Sequence, residues 1–184
     1  CQNGKPMNDA DLVKQFRNGD REAFSELVER YYQPLTMMIL RIVRDQEDAK
    51  DISQTVFLKV YEGLPRFMAA SSFKTWLYSI AMNAVKDYLR QKRKKRVADE
   101  DPDQCADMSQ SAAVRLDEAR MSRNIREAME MLPEKQRLTF QLRMYENLDY
   151  KEIARILGGT SGGARGNFFQ AIKTLRTRIL AGNE

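Results

Sequence analysis

The stretch LGGTSGGARGNFFQAIKTLR, Leu157 to Arg176, sets five glycines, Gly158, Gly159, Gly162, Gly163 and Gly166, within nine positions between two segments of helical periodicity. The glycines divide into two sets. Gly158 and Gly159 follow a short amphipathic segment that carries Ile153, Ala154 and Leu157 inward. That segment opens at Asp149 with Glu152 three residues on, a capping-box spacing, and glycine ends such a helix. Beyond them Thr160 is placed to cap a new helix whose core face is Ala164, Phe168, Ala171, Ile172 and Leu175. Helix, tight turn and helix make a helix-turn-helix, a motif that lays its second helix in the major groove of DNA. Arg165, Asn167, Phe169, Gln170 and Lys173 fall largely off the core face, and the polar ones suit base edges and phosphates. A glycine inside a helix costs about 1 kcal/mol relative to alanine, so Gly162, Gly163 and Gly166 weaken the first turns while letting a phosphate or base come close. A P-loop reading of the same glycines lacks the Lys-Ser or Lys-Thr pair after the last glycine and the preceding strand.

Upstream of this motif, helical stripes resume from Ala119: Ile125, Ala128 and Leu132, a stop and restart at Pro133, then Leu138 and Leu142. Residues 119–184 are therefore expected to form one small domain. Residues 97–118, VADEDPDQCADMSQSAAVRLDE, are acidic, poor in large apolar side chains and contain Pro102, the composition of a flexible linker. Before it, residues 7–96 repeat apolar positions at helical spacing: Leu12, Val13 and Phe16; then Phe24, Leu27, Tyr31, Leu35, Met38 and Ile42; then, after a cap at Asp45, Ile52, Val56, Val60 and Leu64. Pro65 helps to end the third of these helices. Ser72 is placed to cap a fourth, with Phe73, Leu77, Ile80, Ala84 and Tyr88 inward. The expected fold class is all-α, two small helical domains joined by an acidic tether.

The chain has 184 residues and a formal net charge of +5, from 31 basic against 26 acidic side chains, so the placement of charge carries more meaning than its sum. No apolar run approaches the roughly 18 to 20 residues that span a bilayer, no secretory pattern opens the chain, and direct membrane insertion is not expected. Cys1 and Cys105 form neither a disulfide framework nor a zinc spacing, and histidine is absent. The expectation is a cytoplasmic protein with no cofactor and no metal. The segment SSFKTWLYSIAMNAVKDYLRQKRKKR, by contrast, joins aromatics to a cationic helix end, the pairing with which proteins stack bases and neutralise a single strand. Trp76 and Tyr78 also fit a plain helical core.

Three runs, DQEDAKDISQTVFLKVYEGLPRF (45–67), SSFKTWLYSIAMNAVKDYLRQKRKK (71–95) and MLPEKQRLTFQLRMYENLDYKEIARILGGTSGGARGNFFQAIKTLR (131–176), with the acidic linker between the last two, resemble the extracytoplasmic-function group of bacterial sigma factors. The resemblance spans about Asp9 to Leu180. It implies a promoter-specificity subunit without catalysis of its own, which binds the RNA polymerase core. Its first domain would read and help melt the minus-10 element, and its second would read the minus-35 element as duplex. It implies polymerase contacts at Asp48, Asp51, Gln54 and Phe57, although Phe57 equally suits the core. The loop RFMAASS (66–72) matches the family's base-holding loop, which carries over Phe67, Ser71, Ser72 and Phe73, with Lys74, Trp76, Asn83 and Arg90 on the adjoining helix. A flipped base needs a few kcal/mol of unstacking energy, which a preformed pocket offsets.

In the family, the second-domain run is glycine, a capping Ser, an acidic residue, Gly-Thr-Val, basic-Ser-Arg and later Arg-Ala. Here Thr160 stands at the cap and Ser161 at the acidic position. Gly162, Gly163, Ala164, Arg165, Gly166 and Asn167 follow, with Gln170 and Ala171 beyond. Asn167 and Gln170 take positions that are commonly arginine, and Asn and Gln favour adenine where Arg favours guanine. The resemblance also implies an anti-sigma factor as a possible partner, and a linker threaded through the polymerase. Two other readings remain open on the residues: a stand-alone helix-turn-helix regulator, and a nuclease using Asp48 and Asp51, which no further carboxylate completes.

Overall fold

The structure, a computed structural model, describes residues 7–98 and 127–181, the side chains at 95–98 and 180–181 excepted. Cys1, Cys105, Ile125 and most of the linker expected at 97–118 lie outside the described residues. The chain divides into two compact units. No strand occurs among the described residues.

The first unit consists of α1 (Asp9–Arg17), α2 (Glu22–Val43), α3 (Gln46–Gly63), a 3-10 turn (Leu64–Arg66) and α4 (Phe73–Ala98). Side-chain caps start three of these helices, α1, α3 and α4. Asn8 accepts from the Asp11 amide at 2.9 Å, Asp45 from the Glu47 and Asp48 amides at 2.9 and 3.0 Å, and Ser72 from the Thr75 amide at 3.1 Å. Asp9 fastens α1 to α2 by accepting from Arg30 and from the Tyr31 hydroxyl, each at 2.5 Å. Burial, then that hydrogen bond, raises the Tyr31 pKa. The backbone of α4 runs through Ala98, two residues past the boundary expected at 96.

The core corrects the expected stripes in one respect. α2 packs on α1, α3 and α4, and α4 packs on both α2 and α3, so single faces do not suffice. On α2, Ala23, Ile39 and Val43 are buried beside Leu27, Leu35 and Met38, while Phe24, Tyr31 and Ile42 are only half-buried. On α4, Tyr78, Ala81, Met82 and Val85 are buried together with Phe73, Leu77 and Ala84, and Ile80 and Tyr88 are half-buried. Tyr78 belongs to the core.

The second unit contains a helical segment at 127–130, then α5 (Glu134–Met144), α6 (Tyr150–Leu157) and α7 (Ser161–Ala181). Ala128, Met129, Leu132, Ala171 and Leu175 share one cluster, and Leu138, Leu142, Leu148, Ile153, Ile156 and Ala164 are also buried. On α6 the buried pair is Ile153 and Ile156, with Ala154 and Leu157 half-buried. Ile172, expected inside, is 39% exposed, because the buried line Ala164, Ala171, Leu175 leaves it about 100° around the helix from Ala171. Truncating the fully buried Leu77 to alanine is expected to cost about 2–5 kcal/mol, and Ile172→Ala under about 1 kcal/mol, in urea unfolding. Equal losses at the two sites would contradict this packing.

Candidate nucleic-acid interface

The loop between the 3-10 turn and α4 rests on an aromatic floor. The rings of Phe67 and Trp76 lie 4.7 Å apart at 30°, Phe73 lies 6.1 Å from Trp76 and 6.4 Å from Phe67, and Tyr31 backs Phe73 at 5.5 Å. Phe67 and Phe73 are buried, so these two of the base-holding candidates support the loop from beneath and offer no open ring face. Trp76 is half-buried. Its ring fits because residue 63 is glycine: a Cβ there would come within 3.1 Å of the indole. Ser71 is half-buried and Ser72 exposed, with the Ser72 hydroxyl 2.7 Å from that of Thr75 at the start of α4. Ala69 holds a left-handed backbone (φ 52°), which costs an L-residue of order 1–3 kcal/mol and needs its surroundings to impose it.

Arg17 imposes much of that shape. Its Nε donates to the Leu64 carbonyl at 3.4 Å and its Nη2 to the Phe67 carbonyl, tying α1 to the loop. No sequence pattern announced this, since its partners lie 47 and 50 positions away. Gly63, a glycine in a helix two residues before a proline, left a visible but unread signal.

From the loop a line of side chains follows α4 at steps of three or four: Ser72, Trp76, Ser79, Asn83, Lys86, Arg90. Asn83, Lys86 and Arg90 are exposed, and the Lys74 ammonium lies 5.7 Å from the Tyr78 ring. Arg90 pairs with Asp87 at 3.1 Å, both strongly exposed.

The candidate polymerase contacts separate. Asp51 and Gln54 are exposed on α3, whereas Phe57 is buried against Tyr32, ring centroids 5.9 Å apart. Asp48 is turned toward α4: it accepts from the Tyr88 hydroxyl and lies 3.6 Å from Lys92, whose ammonium donates to Tyr88 at 2.8 Å. Desolvation, then the bond to Asp48, raises the Tyr88 pKa, and the bond to Tyr88 is the main cause raising that of Lys92. Among the described residues no three metal-ligating side chains gather.

In the second unit both halves of the capping box at Asp149 and Glu152 form, with bonds of 2.8 and 2.9 Å. The turn uses positive φ at Gly158 (73°) and Gly159 (143°), the region glycine enters freely. Thr160 caps α7 by accepting from the Gly163 amide at 3.0 Å. Arg165, Gly166, Phe169, Gln170 and Lys173 are exposed, Ser161 and Asn167 half-buried, and the Arg165 guanidinium sits 5.9 Å from the Phe169 ring. A Cβ at Gly162 or Gly166 would meet nothing within 4 Å, so this domain's own packing does not require glycine there. At Gly163 it would meet the Thr160 hydroxyl at 3.2 Å. Gly63→Ala is expected to push the indole off Phe67 and shift the emission maximum of Trp76, the sole tryptophan, at unchanged helix content; an unaltered spectrum would refute this seat.

Residues 27–95 match the family model for Sigma-70 region 2, and residues 122–175 that for Sigma-70, region 4. The chain is 32% identical over 172 residues to the RNA polymerase sigma-H factor of Pseudomonas aeruginosa, covering 89% of each chain. It is 31% identical over 182 residues to the ECF RNA polymerase sigma-E factor of Escherichia coli K12, covering 94% of this chain and 95% of that one. Among solved structures its fold resembles CnrH, in complex with the cytosolic domain of CnrY, with a TM-score of 0.70 at 22% identity over 94% of this chain and 97% of that one. It also resembles the sigma factor RpoE from Bartonella quintana, in complex with the anti-sigma factor NepR, with a TM-score of 0.67 at 21% identity over 85% and 96%. Two sigma regions in order along one all-helical chain, with near-full-length relatives above 30% identity, place it in the extracytoplasmic-function group of the sigma-70 family.

Proposed function

We propose that this chain acts as a promoter-specificity subunit, binding the RNA polymerase core in the cytoplasm and directing initiation, with no catalytic step of its own. Residues 7–96 are assigned to core binding and the minus-10 element, 97–118 to the linker and 119–184 to the minus-35 element. The observation that carries this reading is the loop-and-helix surface of the first unit. It is an aromatic floor under a strained loop, continuous with a helix whose outer line ends in cations. Such a surface suits an unpaired strand, with stacking beneath a base and cations along the phosphates.

In the minus-10 role, Ser71, Ser72, Trp76 and Asn83 meet the base and Lys74 and Arg90 the backbone, while Phe67 and Phe73 hold the floor. For the polymerase, Asp51 and Gln54 present the contact face; Asp48, tied to Tyr88 and Lys92, and Phe57, buried, hold α3 in place. In the minus-35 role, Thr160, Ser161 and Gly163 at the helix start face phosphate. Arg165, Asn167, Gln170 and Lys173 read or bind the groove beside Phe169, and Gly166 admits the backbone. An anti-sigma factor is the proposed inhibitor, a reading supported by the NepR complex of the RpoE protein that shares this fold.

Run-off transcription with purified core polymerase and a random promoter library tests the reading. Transcripts are expected only when core and this chain are both present, from promoters sharing two separated elements. Tight duplex binding without core, and no transcripts, would overturn it. In the same selection Asn167→Arg with Gln170→Arg is expected to move the minus-35 preference from adenine toward guanine, by about 1–3 kcal/mol per contact. An unchanged preference refutes the base assignments. Gly166→Leu is expected to weaken promoter binding about tenfold or more while altering unfolding free energy by under about 1 kcal/mol, since its Cβ meets open space. Matched losses would mean that the glycine serves the fold.

A further inference from the structure

The base-holding loop has a second side. Arg66 and Met68 of the same loop also join Phe16, Arg17, Arg21 and Tyr61, none of them on α4, around a cleft of about 650 Å³. That volume is in the range of small-molecule sites. Its lining holds three arginines and no carboxylate. Nearby Asp20 is occupied by the Glu22 amide, which donates to it at 2.9 Å. Arg21 and Arg66 are exposed, and their side chains make no hydrogen bond or ion pair among the described residues.

The apolar part of the cleft is preformed. Tyr61 stands edge-on to Phe16 at 5.3 Å and to Phe24 at 5.0 Å, and Phe16 and Phe24 are 5.6 Å apart, so three helices fix the ring while leaving it 39% exposed. Met68 is 89% exposed at the rim, an apolar side chain with nothing in this unit to cover it. Arg17 is the shared wall, because the guanidinium that lines the cleft also holds the Leu64 and Phe67 carbonyls.

A held aromatic ring, a free thioether and two uncommitted guanidiniums match one ligand class, a nucleotide. Its base would lie against Tyr61 and Met68 and its phosphate on Arg21 and Arg66. We propose that this cleft binds a nucleotide, a neighbour of the base held on the loop's α4 side. The proposal rests on the promoter-subunit reading above for its preferred source, the melted strand. A free nucleotide presents the same chemistry.

The test uses the full chain without polymerase, so that its failure leaves run-off transcription standing and failure of run-off leaves this result standing. Fluorescence anisotropy is measured with a labelled oligothymidylate of about 12 nucleotides and, separately, with fluorescently labelled GTP. Arg21→Ala with Arg66→Ala is expected to lower oligonucleotide affinity about tenfold. It should also reduce the slope of log affinity against log salt by about 1.4, two phosphates of a single strand. Tyr61→Leu should lower affinity severalfold and Tyr61→Phe keep it, because only the former removes the ring. Losses confined to labelled GTP would support the cleft with free nucleotide as its source. Less than twofold loss for both probes in the double variant, or a loss matched by a fallen unfolding midpoint, would overturn the proposal.

Discussion

The guanidinium of Arg17 is the constraint on which the first unit's working surface depends. By bonding the carbonyls of Leu64 and Phe67 it closes the chain reversal after α3 and keeps Phe67 turned onto Trp76. Charge-assisted bonds to carbonyls contribute roughly 1.5–3 kcal/mol, the same order as the backbone cost stored at Ala69. Met68, Ala69, Ala70 and Ser72 are exposed and contribute no core, so polar ties such as this one hold the loop's shape. The loop is thus fastened at one end by α1 and at the other by the Ser72 cap of α4.

The two units meet DNA on different physical terms. In the first, the floor is packed before any strand arrives: Phe67 and Phe73 are buried and Trp76 is seated on Gly63, so little ordering remains to be done on binding. In the second, a Cβ at Gly162 or Gly166 of α7 would meet open space, so the domain's own packing does not require these two glycines, and a glycine inside a helix costs about 1 kcal/mol. They leave the start of the helix bare of side chains, where Thr160 already orders the first turn through the Gly163 amide. On the proposed assignment, rigidity serves a flipped base and bareness serves close approach to a duplex.

How much of this was legible follows from which interactions are local. The caps at Asp45, Ser72, Asp149 and Thr160 involve residues two or three apart, so the sequence displayed them and the structure forms them. The helix-turn-helix was readable because glycine is the residue that a turn with φ of 73° and 143° favours. Helix faces were read less well wherever a helix has more than one neighbour. On α2 and α4 the buried surface is wider than one stripe, and a period cannot say which partners exist. Phe57 and Asp48 fit an exposed contact face by their motif positions, yet Tyr32 and Tyr88, distant in sequence, claim them. Arg17 and Tyr61 act through tertiary contacts and were invisible for the same reason, while Gly63, visible two residues before Pro65, takes its meaning only from the distant Trp76 ring.

The cationic end of α4 shows how a modest net charge can still favour a polyanion. Arg90 is paired with Asp87 and Lys92 with Asp48 and Tyr88, while Lys86 makes no such contact among the described residues. Pairs this exposed are worth under about 1 kcal/mol, because water screens them and both side chains give up rotamer freedom to meet. A phosphate backbone that releases its own counterions on contact competes favourably with such carboxylates. Asp87 therefore holds Arg90, at the end of the line Trp76, Asn83, Arg90, without committing it, while Asp48 and Tyr88 hold Lys92 on the side of α4 that meets α3. That line runs from the aromatic floor to exposed cations, the order in which the proposed role needs a base seat and then a phosphate track.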